Sequence, residues 1–382
     1  MLDIKLKEIK DILSKIALGI NKSDVNPSAG YIEIKTNDDG ILNIKVSSND
    51  YFLISPITVN SDESIHATIL ADKFINIISK LNKEFISLCS DDNSLMLKTN
   101  TSQYVFPIIK KNGVVATINE FEYNAEEYTN CVENEMNGTD LASISESNAQ
   151  GLVEATFTKE IQQFIYVDNV GALTFTDNIY INNFDVAYAN EFKILLNATQ
   201  SRLLKIFDNA KNVTVKVMSS NNFDKNVVVK MTSDDISLSL LTQSVNKVNM
   251  FPQEKIRNLS LGDINRHVII NKNEFDKALS RLMVFDKKFD KAILDYSKLV
   301  FKSNHVELIS VKNHNYEIIA YSSSENIDGD SAYEAIIRFG DLVNQLKAVT
   351  TPNVDISFGN GKAIVINSDI KQIVPEIKAK AK

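Results

Sequence analysis

The chain has 382 residues, 44% hydrophobic and 24% charged, with a net charge of −8 and a pI near 5.2. That balance predicts a soluble globular protein long enough for two or three domains, and the acidity taken alone argues against nucleic acid as a partner. Cys89 and Cys131 each stand alone, outside any CxxC spacing, so reduced thiols are expected rather than a metal or redox centre. No apolar run approaches the ~20 residues of a membrane span, and the opening MLDIKLKEIK lacks a signal-peptide core, so the expected location is the cytoplasm.

Taken in order, residues 2–5 read as a strand and 5–16 as a helix, with Ile9, Ile12, Leu13 and Ile16 on one face. Residues 31–36, 41–46 and 51–59 follow as a meander whose first turn is Asp38-Asp39-Gly40. The pattern is most legible between His66 and Ile109. A strand at 65–70 leads into a helix at 72–83, where Phe74, Ile77, Ile78 and Leu81 fall at i, i+3, i+4 and i+7. Strands at 85–89, 95–98 and 104–109 come next, parted by turn clusters such as Asp91-Asp92-Asn93. Lys110-Lys111-Asn112-Gly113 reads as a linker.

Residues 115–165 are the least regular. A helix there could centre on Leu141 and Ile144 or on Tyr128, Cys131 and Val132, and the residues alone do not choose. Strands at 164–168, 172–176 and 179–184 restore the meander, and 191–196 opens a further unit with a helix at 199–211 and strands at 213–218, 227–232 and 236–241. Phe251-Pro252 and the polar run to Asp263 form a second linker. The fifth unit has a strand at 266–271, a helix at 272–288 and strands at 292–295, 299–302, 306–311 and 316–321. The sixth has a helix at 334–347 and strands at 354–358 and 363–366, turned by Asn360-Gly361.

The apolar quartet of the second helix recurs as Ile9/Ile12/Leu13/Ile16, Leu203/Ile206/Phe207/Ala210, Phe275/Ala278/Leu279/Leu282 and Phe339/Leu342/Val343/Leu346. The intervals are similar, with one double step between 74 and 203, so one unit is hidden there and six units fit the length. Two units per domain give three similar α+β domains, at 1–113, 114–262 and 263–382, each with helices on one face of antiparallel sheets.

Four of the five clear helices carry excess base, at 5–16, 72–83, 199–211 and 272–288, whereas acid gathers elsewhere, notably at 120–135. Helices of that kind brought to one surface would make a basic patch on an acidic protein. Signs of catalysis are missing. Gly359-Asn360-Gly361-Lys362-Ala363 lacks the P-loop spacing, there is no GxGxxG, GxSxG or HExxH, and His66, His267, His305 and His314 are scattered over strand segments. The acidic pairs at 286–290 and 328–330 read as solvated turns. No cofactor or metal is expected.

Six helix-plus-sheet units in an acidic chain with basic helices resemble the bacterial-type DNA polymerase sliding clamp, the polymerase III beta subunit family. The resemblance is most specific at Leu282-Met283-Val284-Phe285-Asp286-Lys287-Lys288-Phe289 and at Ile373-Val374-Pro375-Glu376-Ile377, with Phe251-Pro252 and the Thr176-Asp177 turn as further points of likeness. The sequence departs from the family at Asn26-Pro27-Ser28, where the usual proline-rich segment is reduced, and in a tail that continues to Lys382. The resemblance implies the DNA clamp fold, a homodimeric ring around duplex DNA held without sequence preference, and a processivity factor with no enzymatic activity. It also implies a clamp loader and a polymerase that dock through short linear peptides.

By resemblance the DNA-facing residues are Lys7, Lys10, Lys22, Lys73, Lys80, Arg202, Lys205, Lys277 and Arg281. The peptide pocket takes Val167, Thr176, Ile179, Ile181, Ile256, Ile373, Val374 and Pro375, and the dimer interface takes Tyr104 and Phe106 on one side with Val284 and Phe285 on the other. A repeat-built surface or virion scaffold protein is the alternative, and it gives no reason for basic bias on repeated helices.

Overall fold

The computed structural model describes residues 1–21, 27–59, 63–148, 160–175, 180–183, 188–258, 264–286, 297–310, 314–327, 332–359, 361–368 and 371–376. The chain alternates a strand-helix pair with a three-strand meander. β1 (Leu2–Lys5) and α1 (Leu6–Ile16) precede β2 (Tyr31–Thr36), β3 (Ile41–Ser47) and β4 (Tyr51–Thr58). β5 (His66–Leu70) and α2 (Ala71–Lys80) precede β6 (Phe85–Ser90), β7 (Ser94–Lys98) and β8 (Gln103–Pro107), followed by a small hairpin of β9 (Lys110–Lys111) and β10 (Val114–Val115). β11 (Asn130–Met136) and α3 (Gly138–Asn148) precede β12 (Ile165–Asp168), β13 (Ala172–Phe175) and β14 (Tyr180–Asn183).

β15 (Lys193–Leu196) and α4 (Ala198–Leu203) precede β16 (Val213–Ser219), β17 (Asn226–Thr232) and β18 (Ser237–Ser244). A short helix, α5 (Val245–Asn249), precedes the second expected linker, and another, α6 (Gln253–Arg257), lies within it. β19 (Arg266–Asn271) and α7 (Lys272–Asp286) precede β20 (Ser297–Phe301), β21 (His305–Ser310) and β22 (Tyr316–Ala320), with a short β23 (Ser323–Glu325). β24 (Tyr333–Ile337) and α8 (Phe339–Ala348) precede β25 (Asn353–Phe358), β26 (Ala363–Asn367) and β27 (Lys371–Pro375). The chain forms two compact units, residues 1–145 with 188–248 and residues 146–187 with 249–382.

The recurring quartets are the buried helix faces. Ile9, Leu13, Ile16, Phe74, Ile78, Leu203, Ile206 and Phe207 lie in the core of the first unit. Phe275, Ala278, Leu279, Leu282, Phe339, Leu342 and Leu346 join strand residues from both sheets of the second unit in one cluster. Each fully buried Leu, Ile or Phe contributes ~1.5–3 kcal/mol by leaving water, so the periodic face is what ties these short helices to their sheets.

The strand before each helix pairs with the meander of the neighbouring repeat and not with its own. β1 joins β6, β5 joins β2, β11 joins β16, β19 joins β25 and β24 joins β20, all antiparallel. In the first two repeats and in the last two, this exchange interlocks neighbouring repeats. The free last strand of a meander then meets another last strand: β4 pairs antiparallel with β18, Ser237 opposite Ile54, and β14 pairs antiparallel with β27, Tyr180 opposite Ile373. The first junction closes an eight-stranded sheet in the order β11-β16-β17-β18-β4-β3-β2-β5. The remaining two last strands, β8 and β22, end the four-stranded sheets β1-β6-β7-β8 and β22-β21-β20-β24, each with one edge unpaired among the described residues.

Several expectations shift. The hidden helix contains Leu141 and Ile144, both buried, whereas Tyr128, Cys131 and Val132 belong to β11 and the turn before it. Its start is fixed by Gly138, whose amide donates to the Ala210 carbonyl at 3.0 Å; a Cβ there would lie 1.9 Å from the Phe207 carbonyl oxygen. The helix expected at 334–347 begins at Phe339, because residues 333–337 are β24, buried on alternate positions. The helix expected at 199–211 is shorter: α4 starts under an Asn197–Gln200 capping box and tightens into a 3-10 turn at Leu204–Phe207. Lys110–Gly113 is a hairpin and not a bare linker, since Asn112 and Gly113 both have positive φ, 55° and 82°, the two-residue turn that Asn-Gly favours. The strand expected at 292–295 falls outside the described residues.

Candidate functional site

The basic helix faces sort into two kinds of side chain. Lys7 on α1, Lys73 and Lys80 on α2, Arg202 on α4 and Lys277 on α7 are exposed and make no hydrogen bond or ion pair with a described residue. In the first unit α1 packs against both α2 and the 204–207 turn, which gathers Lys7, Lys73, Lys80 and Arg202 on neighbouring elements. Lys10 is different. Its Nζ donates to the carbonyl of Leu81 at 2.6 Å, and Leu81 is the residue that caps the C-terminus of α2. Arg281 is also engaged, its Nε and Nη2 donating to both Glu317 oxygens at 2.7 and 2.8 Å. That bond holds the Glu317 carboxyl below its usual range and raises Arg281 further. Lys205 is half-buried and Lys22 lies outside the described residues.

The described residues of the expected peptide pocket fall in the second unit. Val167 is on β12, Ile256 on α6, and Ile373 and Val374 on β27, and all four are buried. β14, which carries Ile181, lies between β13 and β27 with Ile181 opposite Gln372, and α6 packs against β14. The strand period separates two of these residues. Val374 enters the core beneath α7 and α8, whereas Ile373 packs with Ala363, Val365 and Ile264 in a separate cluster. Thr176 and Ile179 lie outside the described residues, as do the side chains of Ile181 and Pro375.

Sequence reasoning missed the groups that hold α6 in place. Phe251, just before α6, stacks on Tyr166 with ring centroids 4.9 Å apart and meets Phe175 edge-on at 5.3 Å. Arg257, the last residue of α6, grips Asp168 with Nη1 and Nη2 at 2.7 and 2.8 Å from the two carboxylate oxygens. Asp168 Oδ1 also accepts from the Val170 and Gly171 amides at 2.9 and 3.0 Å. Burial alone would raise the Asp168 pKa; the Arg257 bond and those amides outweigh it, leaving the carboxyl below its ordinary value. Burial, then the Asp168 charge, pushes the Tyr166 phenol up, so it stays neutral beside the pair. The only sequence signal was the spacing of an aspartate at a strand end and an arginine after Phe251-Pro252.

At the expected interface, Phe106 is 6% exposed and meets Phe74 edge-on at 5.3 Å, so it belongs to the core under α2. Tyr104 shares that side of β8 and is half-buried, while Val105, pointing the other way, is 56% exposed. Opposite numbers exist on β22 and α7: Tyr316, Ile318 and Val284 are 65%, 55% and 64% exposed. The Phe285 side chain lies outside the described residues. Among the described residues no three His, Cys, Asp or Glu gather as a metal site, and no helix is long and apolar enough to cross a membrane. His66 bonds Glu33, His267 bonds Asp355, and His305 bonds Asn304 and Glu307.

No protein-family model and no curated protein matches the sequence. Solved structures do match. The DNA polymerase III beta subunit of Thermotoga maritima superposes with a TM-score of 0.74 over 99% of both chains at 13% identity. The fold is that of a DNA sliding clamp. A Pseudomonas aeruginosa sliding clamp bound to griselimycin gives 0.74 at 11% identity, and the Helicobacter pylori beta clamp bound to a DNA ligase peptide gives 0.69 at 16%, each over 99% of both chains. Such identities carry architecture, so the site residues of this clamp-fold chain stand on its own geometry.

Proposed function

We propose that the chain is a DNA polymerase processivity factor, a sliding clamp that closes as a homodimer around duplex DNA. The observation that carries this reading is a clamp fold along 99% of the chain whose helices, packed together, leave Lys7, Lys73, Lys80 and Arg202 exposed without an acidic partner among the described residues. Domains at 1–113, 114–262 and 263–382 each take two repeats, and the β4–β18 and β14–β27 pairings are their joints. The third joint of a ring is then β8 of one subunit against β22 of the other, the two last strands whose edges are unpaired among the described residues.

One helix from each of six repeats gives twelve in a dimer; at ~8–10 Å between neighbouring axes the circumference is roughly 95–120 Å and the diameter roughly 30–38 Å. A duplex passes with room for water, so contacts are phosphate-directed and loose, and topology does the holding. The protein works in the cytoplasm without catalysis, and its polymerase and clamp loader dock by short peptides, as a DNA ligase peptide docks on the Helicobacter pylori clamp.

Two measurements test it together. Light scattering after gel filtration should give the mass of a dimer. Protein loaded on closed circular DNA should resist salt that strips it from linear DNA, because screening weakens phosphate contacts but not a topological link. Equal salt release from circles and linear fragments would eliminate encirclement.

A further inference from the structure

The Asp168–Arg257 pair is a charged contact nearly closed off from water, with the Asp168 side chain 5% exposed and that of Arg257 24%. The other long-range ion pairs described in the same unit, such as Arg281–Glu317 and Lys298–Glu334, are more open to solvent. The buried pair joins two pieces of chain that carry expected peptide contacts at the adjoining positions. Val167 precedes Asp168 at the end of β12, and Ile256 precedes Arg257 at the end of α6. α6 is five residues long, too short to hold its shape by its own hydrogen bonds. Its described backbone bonds include Ile256 to Pro252 at 3.0 Å and Asn258 to Glu254 at 2.9 Å, one turn and no more. Position therefore comes from its packing on β14 and from its two ends. Phe251 anchors the first by stacking on Tyr166, and the bidentate arginine fork anchors the second, where its planar geometry fixes direction as well as distance.

We propose that Asp168 and Arg257 are positioning residues for partner-peptide binding, a latch that sets α6, and with it Ile256, against β14 beside its junction with β27. This rests on the reading of the second unit as the peptide-docking region. Without the latch the C-terminal end of α6 is held by its packing on β14 alone, and the apolar wall it carries is ordered more fully at the moment of binding, a cost subtracted from affinity. Asp168 does two things at once: its Oδ1 also fixes the β12–β13 turn through Val170 and Gly171, so the strand end and the helix end share one carboxylate.

The test compares wild type with Asp168→Asn, which keeps an acceptor for the turn amides but loses the charge, and Arg257→Met, which spares Asp168 and its turn. The probe is the labelled DNA ligase peptide of the Helicobacter pylori clamp, read by anisotropy on the full chain. Hydrogen exchange at residues 254–258 is read in parallel. Both variants should lose at least tenfold in affinity and exchange faster over α6, and the double variant should be no worse than the singles. Unchanged protection over α6, or affinity within twofold of a wild type that does bind, overturns the latch alone. A loss in Arg257→Met but none in Asp168→Asn also overturns it, because Arg257 would then contact the peptide itself. A wild type that binds no peptide overturns the docking reading and the latch with it.

Discussion

Lys7 and Lys10 are three positions apart on α1 and look alike in sequence, yet only one is free. The Lys10 ammonium sits on the carbonyl that caps α2, where a cation also meets the negative end of the helix dipole. Lys10→Met should therefore cost about 1 kcal/mol of stability in a urea melt and change DNA binding little. The set Lys7→Gln, Lys73→Gln, Lys80→Gln and Arg202→Gln should do the reverse. Stability should stay within about 0.5 kcal/mol per change, while the slope of log affinity against log salt on linear DNA falls by roughly 0.9 for each phosphate left without its cation. Helical spacing made the basic faces legible, but not which cation is engaged: the partner of Arg281 is Glu317, 36 residues later on β22, and no local pattern announces it.

At the scale of elements, what could be read was whatever buries a regular stripe. The five quartets predicted five helices because each presents its apolar residues every three or four positions to a sheet. α3 escaped because its described buried face mixes Leu141, Ala142 and Ile144 with Ser145, and because its position is fixed by contact with a distant turn. That turn gives a prediction. Gly138→Ala puts a methyl against the Phe207 and Ala210 carbonyls, backbone atoms that cannot swing away, so it should destabilise the chain by about 2–3 kcal/mol, although alanine is the better helix former. A urea midpoint equal to wild type would mean that the 204–210 segment yields freely. The β24–α8 boundary was misplaced for a related reason: residues 333–337 alternate between buried and more exposed positions, but their pairing partner β20 belongs to the preceding repeat. The elements of the expected pocket follow the same logic. Position along the chain brought α6, β12, β14 and β27 into one unit, but the ion pair that fixes α6 depends on contacts between segments about 90 residues apart.

On the scale of the whole molecule, the same joint recurs. Each meander leaves its last strand at the edge, and the two joints seen within the chain use such strands in pairs, antiparallel. β8 and β22 are the two left over, and both present apolar side chains beside a backbone edge that no described strand pairs, a combination that invites pairing with another chain. Val105 on one edge, with Tyr316, Ile318 and the neighbouring Val284 on the other, would leave water at ~1.5–3 kcal/mol for each side chain fully covered. Phe106 contributes from beneath, by packing β8 onto α2. Val284→Lys with Ile318→Lys places two ammonium groups at the seam while leaving the cores of both units untouched, because both positions are exposed within the chain. The expected product has an unchanged circular dichroism spectrum and urea midpoint for the protomer, half the native mass by light scattering, and no salt-resistant retention on circular DNA. It should still bind peptide, since β14, β27 and α6 lie in one unit of one chain. A double variant that keeps the dimer mass would remove β22 from the seam.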